Sequence, residues 1–302
     1  MNAQLISIFF NVIAPVFALV AIGRVAGPRL GLEARTLSRA AYFLFVPAFI
    51  FSTLSNATID ADLAARMIGY TAVVHISVAL IGFGIAKALG KSAQMVGAYT
   101  LIAVFGNVGN FGFPLIEFHL GDQAVEFAAI YFLAIILISF VISVLAANWH
   151  KGGSLVAVLE VFKTPALIAA IPAILLNWYN IPIPIMVERV VGLLGQAMVP
   201  VMLLALGVQL ANTKSLKIDS DTIIASAIRL IISPALAFAL VGFFGLDGLE
   251  RGAGIMQAAM PAAVLTSIIA LEYDLVPDFV TRTVLFSTLA SVVTLTLILT
   301  VI

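Results

Sequence analysis

Apolar residues run along this chain in blocks long enough to cross a bilayer, separated by short polar breaks. A spanning helix needs roughly 20 predominantly apolar residues. Ten segments reach that length: residues 5–25, 36–56, 65–88, 94–119, 123–147, 155–178, 187–211, 220–244, 251–272 and 278–301. The connections are short, and the longest polar stretch is near Asn148–Ser154, at the middle of the chain. The pattern predicts an all-α membrane protein of ten transmembrane helices, spans 1 to 10.

Span 4 breaks its own pattern. Within AVFGNVGNFGFPLIEFH, the residues Gly106 to Pro114 hold three glycines, two asparagines and a proline. Proline removes a backbone donor and clashes with the preceding turn, and glycine weakens a helix by about 1 kcal/mol relative to alanine. Broken backbone at membrane depth is tolerated only where it is buried in protein or lines a cavity. In transporters such breaks mark the substrate site. The site is expected near Asn107–Pro114.

Composition agrees with a polytopic membrane protein. Of 302 residues, 63% are hydrophobic and 10% charged, against about 45–50% and about 25% in a soluble domain. Net charge is zero, so nucleic-acid binding has no electrostatic support. There is no cysteine, which excludes disulfides, thiol catalysis and thiolate metal sites. The start, MNAQLISIFFNVIAPVF, lacks a basic region and reads as a first span, not a cleaved signal.

Lys and Arg alternate between the two sets of loops. One set holds Arg24, Arg29, Arg35, Arg39, Lys87, Lys91, Lys151, Lys163, Lys214, Lys217 and Arg282; the other holds Arg66, Arg189 and Arg251. The basic side is expected to be cytoplasmic, which sets both termini outside (N-out, C-out) in the cytoplasmic, inner membrane of a bacterium. The halves 1–150 and 151–302 read as two five-helix repeats. Pro47 in FVPAFIFSTLSNA and Pro200 in MVPVMLLALGVQLAN match at an offset of 153, which also sets Pro114 against Ser267, beside Thr266. Five helices is an odd number, so the second repeat is expected to be inverted. Inverted repeats with interrupted helices put the site at the repeat interface.

Several polar residues sit at membrane depth. Asn107 and Asn110 flank the break in span 4 and suit a carboxylate or a coordinated ion; capping the broken helix is the plainer role. In span 9, Gln257, Pro261, Thr266 and Ser267 interrupt an apolar run. Contact with the transported species and ordinary small-residue packing both explain them. His75, mid-span 3, is a proton-coupling candidate or a helix-packing histidine. Arg229 in span 8 lies close to one end, where it would snorkel or cap carbonyls. Glu117, His119, Asp122 and Glu126 read as solvated loop charge. Their spacing matches no metal pattern, and no nucleotide loop, nucleophile elbow or zinc-protease motif occurs.

The chain resembles the auxin efflux carrier family, which includes the plant PIN-FORMED carriers and bacterial relatives. The resemblance rests on Asn107 with Gly112–Leu115 (GFPL), Gln257–Pro261 (QAAMP), Leu271–Asp278 (LEYDLVPD), VPAFIFSTLSN in span 2 and LALGVQL in span 7. It implies a ten-helix inverted repeat similar to the bile-acid sodium symporter fold. Spans 1, 2, 6 and 7 would form a scaffold, spans 3–5 and 8–10 a moving transport unit, and broken spans 4 and 9 would cross at the site. In the plant carriers each crossing helix has a proline at the crossover. Here Pro114 supplies the first and Thr266 takes the second place, while Pro261 matches an earlier family proline. The break in span 9 is therefore expected to be softer. The long central loop of many plant carriers is absent.

The expected function is secondary transport, or facilitated passage, of a small organic anion by an elevator-like alternating-access movement. Gly112, Pro114 and the polar residues of spans 4 and 9 would form the site. No cofactor is expected; coupling to H⁺ through His75, or to Na⁺ near Asn107, Asn110, Gln257 and Thr266, is open. A sodium-coupled symporter of the related fold and a membrane receptor that binds without moving its ligand are the rivals. An enzyme lacks any paired Asp, Ser–Lys or zinc signature. The expected partners are the organic anion, the bilayer and a second copy through the scaffold helices.

Overall fold

The computed structural model of the chain describes residues 2–58, 60–148, 163–211 and 218–302. The helices are α1 (Leu5–Arg29), α2 (Ala34–Ser55), α3 (Ala61–Ala88), α4 (Ala93–Val104), α5 (Phe113–Leu120), α6 (Asp122–Asn148), α7 (Pro165–Trp178), α8 (Ile185–Ala211), α9 (Ser220–Phe244), α10 (Leu249–Ala258), α11 (Leu265–Glu272) and α12 (Pro277–Ile298). Among the described residues, seven helices are long and apolar enough to cross a membrane alone: α1, α2, α3, α6, α8, α9 and α12. Spans 4 and 9 are each split, into α4–α5 and α10–α11. The central linker beyond Asn148, the start of span 6, the repeat boundary at 150–151 and Lys151, Lys214 and Lys217 lie outside the described residues.

Prolines shape these helices in one recurring way. Phe9–Ile13, Ala41–Phe45, Val108–Gly112 and Ile228–Ile232 form π turns, each ending two residues before a proline: Pro15, Pro47, Pro114 and Pro234. A proline ring would strike the carbonyl four residues back and cannot bond to it. One extra residue in the preceding turn moves that carbonyl away and lets the helix continue.

Packing sorts the helices into two groups. α1 lies against α8, and α2 against α7 and α8. The other group joins α3, α4 and α6, with α5 and α10 on α6, α9 on α3 and α10, and α12 on α9 and α11. The contact of α1 with α8 is backbone to backbone. A Cβ on Gly207 would stand 2.1 Å from the Val20 carbonyl oxygen, and one on Gly23 would stand 2.3 Å from that of Leu204. Without a strong hydrophobic drive between helices in lipid, small residues permit the close packing that holds them. Gly207→Leu should therefore destabilise the protein by about 1–3 kcal/mol or more, read as a fall in melting temperature. Gly84→Ala, with nothing within 4 Å of the added Cβ, should cause no such fall.

α3 and α9 are antiparallel neighbours. Arg66, at the start of α3, donates to the Gly245 carbonyl just beyond α9 at 2.7 Å. At the other end Lys91 pairs with Asp221 at 2.8 Å, and Arg282 of α12 reaches Asp219 at 3.0 Å. Lys91 and Arg282 thus share one end of the bundle and Arg66 the other, as their alternation along the chain predicts. Asp219 caps α9 through the Thr222 amide and hydroxyl, both at 2.8 Å. Those bonds, the amide first, and then Arg282 hold its carboxyl below the usual carboxylate range. Its support for α9 is complete near neutral pH and is lost as pH falls through that lowered value.

Candidate functional site

The two breaks meet each other. After α4 ends at Val104 the chain runs extended through Phe105 and Gly106, turns at Asn107, and re-enters helix through the π turn. After α10 ends at Ala258 it unwinds through Ala259–Val264. Gly106 and Ala262 form an isolated antiparallel β-bridge. The Asn107 amide donates to the Pro261 carbonyl at 2.7 Å, and the Ala263 amide to the Phe105 carbonyl at 3.0 Å. Each break thus satisfies backbone groups of the other where no water is available to do so.

This geometry shifts the expected crossing toward the N-terminus of each span. Pro114 is not at the crossing; it lies in the first turn of α5, where a missing amide costs nothing. Thr266 is likewise past the break, in the first turn of α11, with its hydroxyl on the Ala263 carbonyl at 2.5 Å. Span 9 breaks fully, at Pro261, because that residue cannot donate and its carbonyl is taken by Asn107.

Arg229 organises the crossing. It is fully buried in the π turn of α9, not near one end, and it does not snorkel. Its guanidinium donates to the carbonyls of Ala103 (3.0 Å), Met260 (2.8 Å), Ala258 (3.1 Å) and Gln257 (3.4 Å). Ser233, one turn later, donates to the Ala258 carbonyl at 2.7 Å. The capping expected of Arg229 is observed, but its targets are the inner ends of α4 and α10. Gly106 makes room: a Cβ there would lie 2.2 Å from Arg229 Nη2.

The predicted site residues divide around this point. Asn107 is 5% exposed and its Nδ2 has no hydrogen-bond partner. It precedes the first turn of the re-entering helix without capping it through its side chain. Gln257 is fully buried; its Nε2 reaches the Ala128 carbonyl at 3.4 Å and its Oε1 is unpartnered. Gly112 lies against it, where a Cβ would stand 2.0 Å from Oε1. Asn110 is half-buried in the π turn. Ser267 faces elsewhere, lining a cavity of about 260 Å³ between α8, α11 and α12 with Gln209, Thr281 and Thr288. His75 is buried in α3, with Nε2 2.8 Å from the Tyr131 hydroxyl of α6. Its Nδ1 has no hydrogen-bond partner. Of the acidic cluster, Glu126 accepts from the Thr58 amide at 2.9 Å, and no metal-sized group of His, Asp and Glu forms among the described residues.

Sequence reasoning missed Tyr131, Ser233 and the particular need for Gly106. Arg229 carried the clearest signal, since an arginine at membrane depth is functional or paired by default.

Comparison with known proteins places the chain among membrane transporters. The chain matches the family described as Membrane transport protein over residues 8–157 and 153–299. It is 25% identical over 300 residues to an uncharacterized transporter of Methanocaldococcus jannaschii, covering 95% of this chain and 96% of that one. A Rhizobium meliloti protein provisionally named as a malonate transporter is 24% identical over 301 residues, covering 95% and 93%. Auxin efflux carrier component 1 of Arabidopsis thaliana is 26% identical over 113 residues, 37% of this chain and 18% of the plant protein. The chain belongs to the membrane transport protein family, as an integral membrane transporter related to the auxin efflux carriers and not an enzyme.

Proposed function

We propose that the protein carries a small organic anion, a carboxylate, across the cytoplasmic membrane. The observation that carries this reading is the buried, unpartnered Nδ2 of Asn107 at the N-terminal end of the re-entering helix. A helix start presents free amides and a partial positive charge, which together favour an anion. An amide donor left unpaired beside them supplies a further hydrogen bond to a carboxylate. Gly112, Gln257 and Pro261 lie at the same crossing, Pro114 and Thr266 open the helices that leave it, and Asn110 and Ser267 would meet the anion on its way in or out. The relative named for malonate supports a dicarboxylate as the first compound to try.

The mechanism we infer is an elevator-like exchange of access. α1, α2, α7 and α8 would form the scaffold, and the remaining helices the moving unit, in an inverted 5+5 repeat. The antiparallel run of α3 and α9 and the meeting of α4 with α10 support that inversion. Contacts between the two groups include two aromatic pairs, Phe17 on Phe111 at 5.4 Å and Phe49 on Phe113 at 4.6 Å between ring centroids. A homodimer through the scaffold would use the exposed apolar face of α7 and α8, around Trp178, Met186 and Leu193.

The decisive experiment is malonate counterflow in liposomes. Wild type should exchange labelled malonate, and Asn107→Ala should lose most of that exchange with an unchanged melting temperature. Equal exchange in the variant would remove Asn107 from the site; saturable binding without flux would favour the receptor. The absence of cysteine offers a second check of the movement. Phe17→Cys with Phe111→Cys, bridged by a short bis-methanethiosulfonate reagent, should lose counterflow, and a reductant should restore it. Coupling is read by gradient-driven uptake. If a proton gradient drives accumulation, His75→Gln should abolish it and keep exchange. Reporter fusions on the loop holding Lys91 and at the C-terminus should report opposite sides of the membrane, inside and outside.

A further inference from the structure

We propose that Arg229 is a built-in counter-cation, a positioning residue whose charge lets the crossing hold together without a bound sodium ion. This goes beyond the transport reading above, and the melting measurements that test it require no substrate.

The chemistry of the pocket points to charge, not only to hydrogen bonding. The four carbonyls that Arg229 meets are not a random set. Ala103 belongs to the C-terminal end of α4, Gln257 and Ala258 to that of α10, and Met260 to the break that follows. Each helix C-terminus carries roughly half a negative elementary charge. Two such ends aimed at one buried point present about one negative charge, and the guanidinium supplies one positive charge there. Among the described residues no carboxylate pairs with it, and its hydrogen bonds all go to backbone carbonyls. An isolated buried cation is otherwise strongly unfavourable, so the two helix ends are what make Arg229 tolerable at this depth. Equally, without a cation the two negative ends would face each other in a medium of low dielectric.

A hard cation such as Na⁺ would seek the same carbonyl oxygens. With Arg229 donating to them, and Ser233 taking a further share of the Ala258 oxygen, those oxygens are committed. A second positive charge would also be repelled at this range. The unpartnered Asn107 Nδ2 stands instead at the start of the re-entering helix, where the helix N-terminus favours an anion.

The first arm of the test uses purified wild type. Its melting temperature should be the same in sodium chloride and in choline chloride of equal ionic strength, and malonate counterflow should keep its rate when Na⁺ is replaced. A saturable rise in melting temperature specific to Na⁺ would overturn the proposal. The second arm uses Arg229→Ala. Its melting temperature should fall sharply, and low-millimolar guanidinium chloride should restore at least half of the loss. Urea at the same concentration has the same planar shape and no charge, and should restore none. Rescue by urea to the same extent would make Arg229 a neutral bond-former and overturn the proposal. Arg229→Lys, which keeps the charge and loses the fork, should melt between wild type and Arg229→Ala. If Arg229→Ala does not fold, the wild-type sodium arm decides by itself. Failure of malonate transport with sodium-independent melting would reject the substrate and leave the counter-cation standing.

Discussion

Gly106→Ala is expected to abolish transport and to lower stability by about 3 kcal/mol or more, as overpacking and the loss of a buried charge network combine. The new Cβ would lie 2.2 Å from Arg229 Nη2 and 2.9 Å from Cζ. A flexible side chain would swing aside at small cost, but this guanidinium is held by carbonyls from two helices. Moving it unpairs those oxygens where no water replaces it, at about 1–3 kcal/mol for each group left unsatisfied. The alternative is to shift Gly106 itself, which breaks the bridge to Ala262 and the flanking bonds between Asn107 and Pro261 and between Ala263 and Phe105. Thermal unfolding in detergent and counterflow in liposomes check the two parts. A variant that melts and transports like wild type would show that the crossing is looser than its geometry requires.

Gly112→Ala should likewise abolish transport, and here a second substitution separates packing from chemistry. The added Cβ would meet Gln257 Oε1 at 2.0 Å and Cδ at 2.8 Å. Gln257 is fully buried against α6, so the amide has little room to retreat. The expected cost is about 1–3 kcal/mol. Shortening the neighbour, in Gly112→Ala with Gln257→Ala, removes the clash and should recover most of the lost melting temperature. Residues in contact couple in this way, and the double-mutant cycle measures the coupling. Transport then reports on Gln257. If its unpartnered Oε1 takes part in holding the transported species or an accompanying ion, the double variant stays inactive although it folds. If Gln257 only packs, the double variant recovers exchange together with stability.

How much of this was legible in the chain differs between fold and site. The apolar segments read correctly as helices because bilayer thickness imposes their length and lipid leaves the backbone no other partner. The interruptions in spans 4 and 9 were visible for the same reason: Gly106 to Pro114 and Gln257 to Ser267 carry residues that a lipid-facing helix would not keep. The positions of the breaks were not. Pro114 and Thr266 drew attention as the repeat-related pair, yet a proline fits the first turn of a helix without strain. The helices end earlier, at Val104 and at Ala258.

By itself, the sequence determined a cysteine-free, neutral, many-spanning helical transporter with two interrupted helices, since hydropathy, length and backbone chemistry act locally and can be read locally. Only the tertiary structure decided that the two interruptions pair with each other and that Arg229 of α9 stands at their meeting point. It also decided that Gln257 and Gly112 touch while Ser267 turns to a different cavity. Those facts join residues as far apart as 126 positions, for Ala103 with Arg229, and 156, for Gly106 with Ala262. They arise because an opened helix end in lipid must find its partners in another part of the chain, and no local pattern records which part that is.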